Sequence, residues 1–106
     1  MKQSKREKLK KAGFRVGTVQ EFLHLTDEEM SLIELKVRLI EMLKDVRKSN
    51  GITQHDLARL IQSSQSRVAK MEAAMDVSLD LICKALFAMG VSSGQIGRTI
   101  ASTRAA

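Results

Sequence analysis

The segment from Ile52 to Glu72 constrains the fold most, because it specifies two short helices joined by a tight polar turn. Thr53 is a suitable N-cap for the first helix, and Asp56 stands three residues later as the acidic partner of a capping box. The apolar residues that follow at helical spacing are Leu57, Ala58, Leu60 and Ile61. This spacing predicts one buried face on the first helix.

The second helix is predicted to begin after Ser64, a natural N-cap that follows the interruption at Gln62-Ser63. Its inward stripe would comprise Val68, Met71 and Met75. At 3.6 residues per turn, the opposite side then carries Ser66, Lys70 and Ala73, flanked by Arg67 and Ala69, with Gln65 in the first turn. Such a small, polar face with a cation suits close approach to base edges and phosphates in the major groove. Two helices across a tight turn are a helix-turn-helix.

Further motifs extend this pattern: Gly51-Ile-Thr-Gln54, Leu57-Ala58, Ser64 to Val68, Met71-Glu72, Val77 to Leu81, and Ala88-Met-Gly90. Together they resemble the XRE-type, lambda-repressor-like helix-turn-helix regulators. The resemblance implies an all-α, five-helix DNA-binding domain at residues 36–101, with the helix-turn-helix proper at 53–74. The expected DNA-binding residues are Thr53, Gln54, Ser64, Gln65, Ser66, Arg67, Ala69 and Lys70.

The resemblance also implies particular roles. The residue matching Gln54 braces the phosphate backbone, the one matching Gln65 contacts bases, and an ion pair is expected between Arg47 and Glu72. The turn departs from the family pattern, because Gln62 stands where glycine is usual. A left-handed glutamine costs about 1 kcal/mol, so we expect a slightly remodelled turn.

The net charge of +6 is concentrated at the N-terminus. Residues 1–12 carry a charge of +5, and the rest of the chain carries +1. The basic residues of this arm are Lys2, Lys5, Arg6, Lys8, Lys10 and Lys11. We expect a disordered arm that adds salt-sensitive phosphate contacts, the alternative being a tail that only aids solubility.

Residues 13–35 are predicted to form a helical extension. Thr18 and Thr26 each stand three residues before a glutamate, which predicts two helix starts, the second opening a helix from about Asp27 to Ser49. That helix carries a heptad-like apolar seam whose predicted dimer or partner face comprises Leu32, Leu35, Leu39 and Met42. Three coverings stay open: residues 14–25 folding back, a second copy of the chain, or another protein.

The C-terminal part is predicted to support the core. Ser78 should cap a helix running to about Met89, with Gly90 as its stop and a weaker final helix before the tail at 102–106. The apolar face of the first of these helices would comprise Leu79, Ile82, Cys83, Leu86 and Phe87. The final helix carries Ile96 and Ile100.

The composition excludes several functional classes. No stretch is apolar enough to span a membrane, and no secretory signal follows the basic start. His24, His55 and Cys83 lack metal-ligand spacing, and no phosphate loop or nucleophile–base pair is evident, so we expect no metal, no cofactor and no enzyme. Cys83 is expected to be a buried structural thiol in a reducing cytoplasm. Three aromatic residues make stacking on single strands unfavourable, which favours duplex DNA over RNA.

Three functions fit the sequence. The leading hypothesis is a regulator that binds a palindromic double-stranded DNA operator as a homodimeric repressor. The second is an antitoxin that binds its own operator and neutralises a toxin protein through the N-terminal apolar face. The third is a module that bridges transcription or ribosomal machinery, since a fold does not fix a function.

Overall fold

A computed structural model describes residues 16–74 and 77–102, with side chains from residue 20 onward. These residues form α-helices and no strand, so the predicted all-α class is confirmed. The six helices are α1 (Val16–Leu23), α2 (Asp27–Ser49), α3 (Gln54–Leu60), α4 (Gln65–Glu72), α5 (Leu79–Ala88) and α6 (Ser93–Ala101). The chain divides into two compact units between Glu34 and Leu35, within α2. We call them the N-terminal unit and the C-terminal unit.

One hydrophobic core, to which each helix from α2 to α6 contributes, holds the C-terminal unit together. The residues at its centre are Leu39, Leu43, Leu57, Val68, Met71, Ile82 and Leu86, all at most 1% exposed. Fully burying a side chain of this size contributes about 1.5–3 kcal/mol relative to leaving it in water. The core therefore covers the apolar sides of α3 and α4.

The starts of α2, α3, α4 and α5 follow the predicted caps. The Thr53 hydroxyl accepts from the Asp56 amide and the Asp56 carboxylate accepts from the Thr53 amide, completing the capping box. Ser64 and Ser78 cap α4 and α5 in the same way, each accepting a backbone N–H at 3.1 Å. Thr26 and Glu29 form the reciprocal pair at α2. These predicted starts are confirmed.

The predicted start at Thr18 is wrong, because α1 already runs from Val16 and Thr18 lies within it. A capping box requires an extended residue at the cap, whereas the backbone at Thr18 is helical. The Ser/Thr-x-x-Glu spacing also occurs inside helices, where glutamate is a good helix former. The spacing alone therefore does not locate a helix start.

Five of the described helices end at a residue in the left-handed conformation, although only two of these residues are glycine. Gly51 and Gly90 have φ values of 68° and 93°, and the φ values of His24, Gln62 and Ala74 are 57°, 54° and 60°. After α3, the Gln62 amide donates to Arg59 and the Ser63 amide donates to the Ala58 carbonyl at 2.8 Å. Both bonds belong to the usual helix-ending motif, so the turn keeps its form and Gln62 itself carries the strain.

The N-terminal unit is held by polar contacts around the α1–α2 turn. The Gln20 amide nitrogen donates to the Leu25 carbonyl at 3.1 Å and to the Asp27 carboxylate at 2.8 Å. Phe22 and Leu23, at the end of α1, are 79% and 52% exposed. The prediction of a short helix before α2 is thus confirmed, while its large apolar side chains lie at the surface.

Three apolar predictions need correction. Leu60 and Phe87 were expected on buried faces but are about half exposed. Both lie outside the buried arc: at 100° per residue, Leu60 is about 60° from Leu57 on the side away from Ala58, and Phe87 is about 140° from Ile82. Cys83 is only half-buried. Its burial, and to a smaller extent the negative charge of Asp80, raise the pKa of its thiol. Met75, the last residue of the predicted α4 stripe, lies outside the described residues.

Candidate nucleic-acid interface

Helix α4 presents a polar face to solvent because its apolar side is anchored in the core. Val68 and Met71 are 0% and 1% exposed. On the other side, the predicted contact residues Gln65, Ser66 and Lys70 are exposed, as is Arg67. Ser64 ends the turn in an extended conformation, and its hydroxyl caps α4 by accepting from the Arg67 amide. The helix thus offers amide, hydroxyl and cationic groups on one accessible surface.

A buried ion pair joins the long helix to α4. The expected pair between Arg47 and Glu72 is present: Arg47 donates through Nε to Glu72 Oε2, and through Nη2 to Oε1 at 3.0 Å. The third guanidinium nitrogen donates to the Ile52 carbonyl at 2.9 Å, just before α3. One arginine therefore ties together the end of α2, the α2–α3 loop and the end of α4.

The ionised state of Glu72 is favoured despite its burial. Burial acts to raise the pKa of this carboxyl group, but hydrogen bonds from Arg47 and Gln54, with the charges of Arg47 and Lys44, hold the pKa below its ordinary value. A charge that loses water is stable only when it is paired and hydrogen-bonded in this way. Glu72 is therefore a fixed negative centre behind the recognition surface.

Two glutamines extend this pair to the surface. Gln54 Nε2 donates to Glu72 Oε1 at 3.0 Å, and Gln65 Nε2 donates to Gln54 Oε1 at 2.7 Å. Gln54 is half-buried whereas Gln65 is exposed. The first residues of α3 and α4 are consequently linked side chain to side chain, and Gln65 is oriented from behind.

The comparison with known families agrees with this geometry. The sequence profile of the helix-turn-helix family matches residues 43–96, which are 54 of the 106 residues of the chain. The chain belongs to the XRE-type, lambda-repressor-like helix-turn-helix family. No curated protein and no solved structure shows significant similarity to it.

Membership identifies the chain, in general terms, as a DNA-binding transcriptional regulator of the XRE type. The family is not typically enzymatic. Among the described residues no cluster of His, Cys, Asp or Glu has a geometry for metal binding. None of the described helices is both long and apolar enough to cross a bilayer.

An open groove in this XRE-type domain runs beside α4 toward the start of α5. The basic side chains of Arg67 and Lys70 line it, together with Ser64 and Ser66. The other wall of the groove is formed by Val77, Ser78 and Leu81. None of these three residues was predicted to contact DNA. The sequence predicts Ser78 only as the cap of α5. Its place directly after the loop that follows α4 was the one sequence feature that could have predicted its position in the groove.

The remaining expected contact residues are distributed unevenly. Thr53 is exposed next to Gln54, whereas Ala69 is half-buried, as expected for a position between the two faces of α4. His55 is exposed at the start of α3. The basic arm, Lys2 to Lys11, lies outside the described residues.

The expected partner face on α2 is not one continuous surface. Leu39 was wrongly included, since it is 1% exposed and belongs to the core of the C-terminal unit. Leu35 and Met42 are half-buried and pack against that core. Leu32 is 45% exposed. The heptad spacing failed here because Leu43, four residues after Leu39, is fully buried and places Leu39 on the inward side.

Proposed function

We propose that the protein is a sequence-specific regulator that inserts α4 into the major groove of double-stranded DNA. The observation that carries this proposal is the exposure of Gln65, Ser66 and Lys70 on a helix whose opposite side is sealed in the core. Direct recognition of base pairs needs donors and acceptors that reach the groove on a rigid element, and this face supplies them.

We further propose that the regulator binds a palindromic operator as a homodimer and acts as a repressor in the cytoplasm. A single recognition helix contacts only a few base pairs, and two-fold symmetry doubles the contacted sequence at a spacing of about one helical turn. The +5 charge of residues 1–12 supports an accessory role for the arm in neutralising phosphates on the flanking duplex.

Selection of bound duplexes from a random pool at physiological salt tests the proposal. A palindromic consensus is the expected result. Binding without any enriched sequence would contradict specific recognition, and enrichment of single half-sites would contradict the dimer. The full chain should be used, because the arm contributes to affinity.

Arg67→Ala and Arg98→Ala provide a matched pair for locating the interface. Both arginines are exposed, but only Arg67 lines the groove beside α4, whereas Arg98 lies on α6. Removing Arg67 should weaken binding to the selected duplex. The slope of log K against log salt concentration should fall by about the contribution of one phosphate contact. Removing Arg98 should leave both nearly unchanged. Equal losses in the two variants would place the interface elsewhere.

A second function, that of an antitoxin, is favoured by the exposed apolar side chains of the N-terminal unit. Phe22, Leu23 and Leu32 are 79%, 52% and 45% exposed, and apolar surface of this kind often marks a protein-binding site. If a small ribonuclease is encoded beside this gene, co-expression of the two proteins is the test. Relief of growth arrest that Phe22→Asp abolishes, with operator binding retained, would favour the antitoxin. Unchanged relief would remove this surface from the function.

A further inference from the structure

We propose that Glu72, although buried away from the DNA-facing surface, determines which base edge Gln65 can bind. The inference rests on the proposed function, in which Gln65 contacts bases. Glu72 itself contacts no nucleotide. It sets the donor–acceptor direction of a chain of hydrogen bonds that runs through Gln54 and Gln65 to a base. Glu72 is therefore a positioning residue for sequence recognition.

The direction of the chain starts at the carboxylate. An ionised carboxylate can only accept hydrogen bonds, so the amide group of Gln54 must turn its nitrogen toward Glu72. The distance from Gln54 Nε2 to Glu72 Oε1 is 3.0 Å. The carbonyl oxygen of Gln54 is thereby directed away from Glu72, toward α4.

The same constraint passes to Gln65. Because Gln54 presents its oxygen, Gln65 must present its nitrogen, and Gln65 Nε2 donates to Gln54 Oε1 at 2.7 Å. The groups of Gln65 that remain for a ligand are its carbonyl oxygen and one N–H. An acceptor beside a donor matches the major-groove edge of adenine, which offers N6–H and N7. The reversed amide would present two N–H groups, which match the N7 and O6 acceptors of guanine.

Glu72 can hold this direction because its own position is fixed. The guanidinium of Arg47 contacts both carboxylate oxygens of Glu72, and Glu72 is only 8% exposed. Gln54 is half-buried between the pair and the surface. A single buried charge thus orders two successive amides that could otherwise rotate by half a turn at little steric cost.

Glu72→Gln tests the proposal. An amide at this position cannot accept from both Arg47 nitrogens and from Gln54 at once, so it no longer imposes one direction on Gln54 and Gln65. The variant should lose about fivefold or more of its preference for the selected base pair opposite Gln65, while its affinity for random duplex stays within about twofold. Competition binding against the four base pairs at that position measures the loss. Retained preference would overturn the proposal.

Arg47→Lys is the matched control for a structural effect. It weakens the ion pair and removes the contact with Ile52, but it leaves a carboxylate to accept from Gln54. The control should lower the urea midpoint of unfolding without changing the base preference. If the two variants instead lose preference in proportion to their loss of stability, Glu72 acts only through the fold and the proposal is wrong.

Gln54→Met gives the answer should Glu72→Gln fail to fold, because it breaks the relay and leaves the ion pair in place. It should reduce the same base preference, and undiminished preference would overturn the proposal. The double variant Gln65→Ala/Glu72→Gln should lose no more preference than Gln65→Ala alone, and a further loss would place the action of Glu72 elsewhere. If Gln65→Ala alone leaves the base preference unchanged, Gln65 does not contact bases. That result would refute the proposed function, and it is distinct from a failure of the proposal about Glu72.

Discussion

The two units differ in how far their large apolar side chains are covered. In the C-terminal unit, Leu43, Leu57 and Val68 are fully buried, and the outward side of α4 is polar. In the N-terminal unit, Phe22 is 79% exposed, and the turn between its helices is held by hydrogen bonds from Gln20. The C-terminal unit presents polar groups on a rigid surface, and the N-terminal unit leaves apolar groups accessible. Substitutions should therefore separate stability and DNA binding from any binding of a protein partner.

The largest expected effect is in the ion pair of the C-terminal unit. Arg47→Met should lower the free energy of unfolding by about 3–5 kcal/mol at pH 7, because it leaves Glu72 buried without its partner. Urea denaturation followed by circular dichroism measures the difference. The Arg47–Glu72 pair lies in the C-terminal unit, so this loss should come from that unit.

The pH dependence gives this prediction a sign. In the wild-type protein the pKa of Glu72 is lowered, so the stability from the pair is complete above the ordinary glutamate pKa of about 4.3 and is lost as pH falls through the lower, folded value. Without Arg47, protonation of Glu72 removes an unpaired charge, so acid harms the variant less. The difference in stability between the two proteins should narrow as pH falls below about 5. A constant difference would show that Glu72 is not the group that titrates.

Core substitutions sharpen the comparison between the units. Leu57→Ala should cost about 2–5 kcal/mol, because it leaves a cavity at a fully buried position. Leu32→Ala, at a position that is 45% exposed in the N-terminal unit, should change global stability by about 0.5 kcal/mol or less. Thermal unfolding of the two variants tests this. A large loss for Leu32→Ala would mean that its exposed side chain supports the fold.

Much of the C-terminal unit could be predicted from local sequence signals. Thr53, Ser64 and Ser78 cap helices through side chains that bond to the backbone three residues on, and such contacts depend on little else. The inward stripe of α4 followed from 3.6-residue spacing, which in turn placed Gln65 and Lys70 outside. The exposed face of the site was therefore accessible to sequence reasoning.

What the sequence did not predict depends on tertiary contacts. The hydrogen bond that Gln65 donates to Gln54 joins residues that are close only once α3 and α4 are packed. Leu39 and Phe87 were misplaced because several apolar stripes lie side by side, and only the packing of neighbouring helices decides which one is covered. The groove wall at Ser78 likewise arises from the position of α5 beside α4.

Helix caps offer a smaller test of the same contrast. Ser64→Ala should destabilise the protein by about 1 kcal/mol, because the Arg67 amide loses its acceptor at the start of the recognition helix. Thr26→Ala removes the equivalent bond at the start of α2, in the N-terminal unit. We expect it to increase local fraying, seen by amide hydrogen exchange, with little effect on global unfolding. Equal global losses would indicate that the two units unfold together.

The smallest expected effect concerns Gln62 and His24, two of the three described non-glycine residues that end helices in left-handed conformations. Gln62→Gly relieves the strain at φ 54° and should raise the free energy of unfolding by about 0.5–1 kcal/mol, since the greater freedom of glycine in the unfolded chain offsets part of the gain. His24→Gly makes the same change at φ 57° in the N-terminal unit. If that unit unfolds at lower free energy than the core, the second variant should protect only the amides of α1 from exchange and leave the global transition in place. A gain from both in the global transition would instead make the units one cooperative structure, and the exposed apolar residues of the N-terminal unit would then be part of its surface and not of a separately folding segment.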